Sequence, residues 1–138
     1  MEDVLSRYFE RPDDVILKPI TQGLINSTYE VFLGQNSYIL QKLNTTIFQK
    51  PEVLISNTIL VGNHLKRKNY EKGIIEIIPN LSGNYLTFIN GETWRLTNYI
   101  LGSVCYDQVV SVNQAYAAAV AISEFHSNVH DISINTIE

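Results

Sequence analysis

Three short apolar segments between residues 15 and 43 constrain the fold more than any other part of this chain. They are rich in β-branched and aromatic residues, and a Gly-Gln-Asn turn at 34–36 separates the second from the third, so we expect a three-stranded antiparallel meander. The first connection, 21–27, is longer than a tight hairpin needs and holds Gly23, Asn26 and Ser27. Such a segment suits either a plain hairpin connection or a flap whose backbone N–H groups cover a phosphate.

The rest of the chain predicts three helices and two or three further strands. A helix at 51–68 begins at Pro51 and ends near Asn69, with its apolar positions at i, i+4, i+7 and i+11. Strands are predicted at 74–78, 84–89 and 92–100, the last two joined by an Asn-Gly hairpin turn. The predicted apolar helix positions are Val4, Leu5, Tyr8 and Phe9 in a helix at 3–10, Leu54, Thr58, Val61 and Leu65 in the second, and Ala115, Ala119, Ile122, Phe125 and Val129 in a helix at 111–130.

A capping box, Ser111 with Gln114, opens the last helix. The predicted fold class is therefore α+β, an antiparallel sheet of five to six strands carrying one helix. With 138 residues, 45% of them apolar and 17% charged, the chain can form one packed domain, and its net charge of −4 gives no cationic surface for nucleic acid. No run of 18 apolar residues or basic leader is present, and the single Cys105 excludes an internal disulfide, so we expect a cytoplasmic protein without a membrane partner.

Four segments in order carry a resemblance to a known family: Gly-Leu-Ile-Asn-Ser-Thr-Tyr at 23–29, Tyr-Ile-Leu-Gln-Lys-Leu-Asn at 38–44, Phe-x-x-Pro at 48–51 followed by Asn57 and His-Leu at 64–65, and Trp-Arg at 94–95 leading to Tyr-Ile-x-Gly at 99–102. Together they resemble the aminoglycoside phosphotransferase and choline kinase superfamily. They look most like its bacterial N-acetylhexosamine 1-kinase-type members. The resemblance implies the N-terminal lobe of a protein-kinase-like fold, with the flap over the phosphates of ATP.

The resemblance also implies a role for individual residues. The flap would act through its backbone and Asn26 would brace it, two isoleucines would cover the adenine, and a hinge would bond the adenine edge. The implied nucleotide-binding residues are Gln22, Gly23, Leu24, Ile25, Asn26 and Ser27 in the flap, Ile20 and Ile39 at the adenine, Asn98, Tyr99, Ile100 and Leu101 in the hinge, and Gln41 with Asn57. Without the family, both isoleucines read as ordinary sheet core.

Gln41 stands where the third strand of a kinase carries a lysine that grips the phosphates and pairs with a glutamate of the next helix. Asn57 lies near the position of that glutamate, so we expect a neutral Gln41–Asn57 amide pair. Lys42 should point to the opposite face, because side chains alternate along a strand. Ile39 and Gln41 should then share one face.

The resemblance implies a division into a nucleotide-binding lobe at 1–102 and a connector with the first helix of a second lobe at 103–138. The catalytic His-Gly-Asp loop and the magnesium ligands of the family lie in that second lobe, so ATP with Mg²⁺ would be the cofactor but no residue here is assigned as catalytic. We expect no activity from the chain alone, and self-association through 111–130. A small-molecule acceptor is implied for the complete enzyme. A stand-alone non-catalytic nucleotide-binding or regulatory module, or an unrelated α+β protein that binds an apolar ligand, remain alternatives.

Overall fold

The computed structural model describes residues 1–21, 23–104 and 106–133, so Gln22, Cys105 and the last five residues lie outside the described part. The chain folds into three α-helices and a six-stranded antiparallel sheet, which confirms the predicted α+β class. The helices are α1 (Glu2–Tyr8), α2 (Pro51–Arg67) and α3 (Val112–Val129), and the strands are β1 (Ile16–Ile20), β2 (Ser27–Leu33), β3 (Asn36–Leu43), β4 (Ile77–Ile78), β5 (Thr87–Ile89) and β6 (Glu92–Asn98).

The predicted meander forms one edge of the sheet. Strands are ordered β1-β2-β3-β6-β4, and β5 pairs with β6 further along the same edge as β4. The turns lie where their chemistry predicts them: Gly34 has a φ of 60°, and Asn90 and Gly91 have φ values of 51° and 77°. Positive φ at both central residues is the geometry of the type I′ hairpin turn.

The main core lies between α1 and one face of the sheet. All four predicted apolar residues of the first helix are buried there, against a layer in which Val31, Leu40 and Leu96 are almost wholly inaccessible. The Tyr8 hydroxyl donates a hydrogen bond of 3.2 Å to the Trp94 carbonyl, and the rings of Phe9 and Tyr38 lie 5.6 Å apart. The short α1 is thus held by packing on the sheet, since an isolated helix of this length has little stability of its own.

The second helix covers part of the other face, on the side of β4. Ile55 packs with Leu43, Ile77 and Leu86 in a second, smaller core. The buried residues of α2 are Pro51, Ile55, Gly62 and Leu65, whereas Leu54, Thr58 and Val61 of the predicted stripe are only half-buried. The helix ends as predicted, with Asn69 in the left-handed region at a φ of 52°.

The strands around the second hairpin are shorter than the sequence predicts. Residues 74–76 are held by the Asn98 side chain, which donates to the Ile74 carbonyl at 2.9 Å and accepts from the Glu76 N–H at 2.8 Å. Residues 80–86 form a loop around Asn80, whose side chain accepts from two backbone N–H groups and donates to the Thr87 hydroxyl. These side-chain bonds replace ladder bonds, and β4 and β5 are therefore brief.

The last helix has the predicted start but little cover. Its Ser111 hydroxyl accepts from the Gln114 N–H at 3.2 Å, and the Gln114 side-chain oxygen accepts from the Val110 N–H at 2.7 Å. None of its described residues is buried, and Ile122 is 58% exposed. Among the described residues, no helix is both long and apolar enough to span a bilayer.

Candidate functional site

Strand register divides the sheet into a packed face and an open face. On β3, Leu40 points into the α1 core, so Ile39 and Gln41 point to the opposite side. The pairing places Ile20 opposite Thr28, Thr28 opposite Gln41, and Gln41 opposite Arg95. These four residues form a row across four strands on the open face, which we call the open-face row.

The predicted alternation on β3 is confirmed by Lys42. Its ammonium lies 3.0 Å from a carboxylate oxygen of Glu92, whose other oxygen accepts from the Trp94 indole N–H. The hydrogen bond from Lys42 lowers the pKa of Glu92. The lysine is therefore paired on the packed face, and Gln41 projects from the opposite face.

The predicted Gln41–Asn57 pair is wrong. The Gln41 amide nitrogen donates to the Thr28 hydroxyl at 3.1 Å, and its oxygen accepts from Arg95. Cross-strand neighbours on the same face lie about 5 Å apart, so Thr28 and Arg95 are within direct reach of the Gln41 side chain. Asn57 instead lines a separate space between α2, α3 and residues 73–75.

The flap between β1 and β2 is folded back on itself. A Cβ at Gly23 would lie 3.1 Å from the Asn26 carbonyl, a separation that leaves little room for a side chain. The Asn26 side-chain oxygen accepts from the Asn44 N–H at 2.9 Å and so ties the flap to the end of β3. Leu24 is fully exposed and Ile25 is 49% exposed, so the flap presents backbone rather than packed side chains to its surroundings. The flap and the strand ends beside it line an open, shallow hollow of about 380 Å³.

A chain of hydrogen bonds connects the open-face row to this flap. Arg95 donates to Gln41 through Nε at 3.0 Å and Nη2 at 2.8 Å, and Gln41 donates to Thr28. The Thr28 hydroxyl then donates to the Asn26 carbonyl at 3.4 Å. Hydrogen bonds between side chains thus join three strands to the flap. A change in the position of Arg95 can therefore alter the hydrogen bond that Thr28 makes to the flap backbone, and the reverse.

Arg95 and Thr28 are the two members of the row to which sequence reasoning gave no role. Arg95 lies at the centre of β6, where burial lowers the pKa of its guanidinium below the ordinary value. The Trp-Arg dipeptide was visible in the sequence, but its place opposite Gln41 depends on the pairing of β3 with β6. These strands are about fifty residues apart in the chain, and no local signal sets their register.

The predicted hinge contributes fewer free backbone groups than the sequence suggested. The Asn98 N–H donates to the Glu76 carbonyl at 3.1 Å, and the Ile100 carbonyl accepts from the Ser103 N–H at 3.2 Å. These two groups are therefore committed within the chain. Tyr99 and Leu101 are the hinge positions that remain candidates for bonding a ligand edge.

A polar cluster fastens α3 to α2 outside the open-face row. His64 Nε2 lies 2.9 Å from the Asn128 carbonyl and 3.0 Å from a carboxylate oxygen of Asp131, and Lys68 lies 2.7 Å from the other oxygen. Lys68 contributes most to lowering the pKa of Asp131 to about 2. We read this cluster as structural, because within the described residues no group of three or more His, Cys, Asp or Glu side chains could hold a metal ion.

Comparisons with known proteins agree with this architecture. No family model matches the sequence. A microcompartment-associated aminopropanol kinase superimposes with a TM-score of 0.71 at 14% identity, over 96% of this chain and 40% of that one. A spectinomycin phosphotransferase, solved in complex with ADP and spectinomycin, superimposes with a TM-score of 0.52 at 12% identity, over 88% of this chain and 34% of that one.

The chain therefore spans two fifths or less of the length of these two solved structures. At such low identity the likeness concerns the fold, which is α+β and matches part of a small-molecule phosphotransferase. The predicted kinase-like N-terminal lobe is confirmed at that level.

Proposed function

We propose that this chain is the nucleotide-binding lobe of an ATP-dependent phosphotransferase, with a sugar or amino sugar as acceptor. The flap that carries the proposal joins β1 to β2, is tied to the end of β3 by the Asn26–Asn44 bond, and stands at one end of an open sheet face. Backbone N–H groups of the flap at 23–27 would meet the phosphates, and Ile20 with Ile39 would cover the adenine. Tyr99 and Leu101 would bond its edge.

The chain covers only 40% and 34% of the two solved structures, which supports a proposed division of labour between two lobes. Residues 1–102 would form the nucleotide-binding lobe and 103–138 the connector and first helix of a second lobe. Phosphoryl transfer depends mainly on positioning and on charge stabilisation by Mg²⁺, a base and cations. The family that the sequence resembles carries its magnesium ligands, base and acceptor groups in the second lobe, so we propose none of these roles for a described residue. The solved phosphotransferase with bound ADP supports a nucleotide as the first ligand to test.

The test is a titration of the chain with Mg-ATP and Mg-ADP, followed by amide chemical shifts. We expect responses at 20–33 and 96–102, with a Kd no tighter than about 100 μM because only one wall of the site is present. Asn26→Ala should weaken binding, since it removes the brace of the flap. Leu24→Ala is the matched control on the same flap. The Leu24 side chain is fully exposed, so its truncation should leave the nucleotide affinity unchanged.

No shift at these residues with millimolar nucleotide would refute the proposal. An apolar ligand on the open face would then become the better hypothesis.

A non-catalytic nucleotide-binding or regulatory module is the second candidate, and the neutral Gln41 favours it. An amide bonds phosphate less strongly than a cation does, because charge-assisted bonds are about twice as strong. Mass spectrometry of the protein purified from its natural source would separate the two candidates. A His-Gly-Asp catalytic segment in the same polypeptide or in a co-purifying chain supports the kinase, and its absence from both supports the module.

A further inference from the structure

Arg95 is a half-buried cation whose partner in the described part of the chain is neutral. Its guanidinium forms a fork on the oxygen of Gln41, through Nε and Nη2. No carboxylate of a described residue lies within ion-pairing distance of it, whereas the six ion pairs of the described residues all lie elsewhere. Glu30, an acid on the same face, is two strands away, which is about 10 Å.

The geometry leaves most of this guanidinium unused. A guanidinium carries five N–H donors in a planar fork, and Gln41 receives two of them. A charge that is partly removed from water without a counterion is costly, and an anion offsets that cost by ion pairing and bidentate hydrogen bonding. Arg95 therefore has the charge, the free donors and the partial burial of an anion-binding group.

Its surroundings point to the phosphates of a nucleotide. Gln41 holds the guanidinium in the open-face row, and the hydrogen-bond chain continues through Thr28 to the Asn26 carbonyl of the flap. A phosphate on Arg95 would therefore bind to the same hydrogen-bond network that reaches the flap backbone at Asn26. Lys42 does not compete for the anion, because it is paired with Glu92 on the packed face.

We propose that Arg95, oriented by Gln41, supplies the phosphate-binding cation that kinases place on their third strand. This inference rests on the proposed function and adds to it the group that recognises the phosphates. Gln41 is then a positioning residue. The positive charge is on β6 and not on the third strand, where a kinase has its lysine. A third strand without a lysine is then compatible with phosphate binding, because the cation is on the neighbouring strand β6.

The experiment compares the phosphate dependence of binding in the wild-type chain, Arg95→Gln and Arg95→Lys. The ligands tested are Mg-ATP, Mg-ADP, adenosine and inorganic triphosphate, and NMR measures the binding of each. Arg95→Gln should weaken ATP and triphosphate by about 10- to 100-fold and adenosine by less than twofold, since a hydrogen bond to a charged group is lost. Arg95→Lys should be intermediate, because it keeps the charge but not the fork. Arg11→Gln is the control for net charge, as Arg11 is exposed and pairs with Asp14.

A second measurement uses only the wild-type chain, so its result does not depend on whether the variants fold. The Arg95 Nε–Hε signal should shift with triphosphate and with ATP, while that of Arg11 should not. Equal weakening of adenosine and ATP in Arg95→Gln, or an unmoved Arg95 signal at saturating ATP, would overturn the inference and leave nucleotide binding standing. Binding of triphosphate through Arg95 without any response of 96–102 to ATP would leave Arg95 as an anion-binding residue and overturn the nucleotide assignment, and with it the inference. Failure of every probe would overturn both.

Discussion

Leu40 and Ile39 are adjacent on β3 but point to opposite faces, so truncating each should separate stability from ligand binding. Leu40 is wholly inaccessible and packs in the α1 core, whereas Ile39 is half-buried on the open face. Leu40→Ala should cost about 3 kcal/mol, within the range for leucine truncation in a well-packed core. Ile39→Ala should cost less, because part of the removed surface is already in water. A loss of about 3 kcal/mol lowers the Tm of a domain of this size by about 10–20 °C.

The assay combines urea denaturation, followed by circular dichroism, with Mg-ADP titration at a temperature where both variants are folded. Leu40→Ala should shift the denaturation midpoint strongly and leave the ADP affinity of the folded protein unchanged. Ile39→Ala should do the reverse, with a small shift in midpoint and an affinity several-fold weaker. A Leu40→Ala protein that loses ADP affinity as much as Ile39→Ala does would refute the assignment of the two faces.

Three further predictions follow from contacts outside the row. Asp131→Asn should release α3 from α2 and speed amide hydrogen exchange at 126–131. In the wild type the depressed carboxyl pKa of about 2 means that this attachment is fully present above about pH 4 and is lost as pH falls through 2, which an NMR pH titration measures. Gly73→Ala should lower the Tm because its Cβ would lie 2.6 Å from Ile100 Cγ2, and Ile100→Ala in the same chain should recover most of the loss. The chain should self-associate through α3, and Ile122→Asp should shift light scattering towards monomer, since Ile122 is 58% exposed.

Sequence reasoning predicted the local elements well because their signals are local. The Asn-Gly turn, the Ser111 cap, the Pro51 start and the alternation on β3 each depend on a few neighbouring residues, and each is present. The bounds of β4 and β5 were too long, because the side chains of Asn80 and Asn98 bind backbone groups that a strand would have used. Such bonds depend on where the loops meet after folding.

The sequence was enough to predict which face of the sheet each site residue lies on, but not which residues it bonds to. Strand alternation placed Ile39 and Gln41 together, which needed no knowledge of other strands. The partner of Gln41 required the pairing of β3 with both β2 and β6, and a helix neighbour was assumed by analogy with lysine-bearing kinases. A glutamine side chain is shorter than a lysine, and its amide both donates and accepts hydrogen bonds. Its neighbours on the two adjacent strands can therefore supply all of its bonding partners.

The unequal use of the two faces explains how a chain of this size can keep a polar row uncovered. Val31, Leu40 and Leu96 are almost fully buried on the α1 side, so the main core forms there without help from the other face. On the open face α2 packs where Ile55 meets Leu43 and Ile77. Because stability does not depend on filling the remaining open surface, that surface can hold a half-buried arginine with a neutral partner. A partly buried cation in that position destabilises the free chain, and a bound anion would offset that destabilisation.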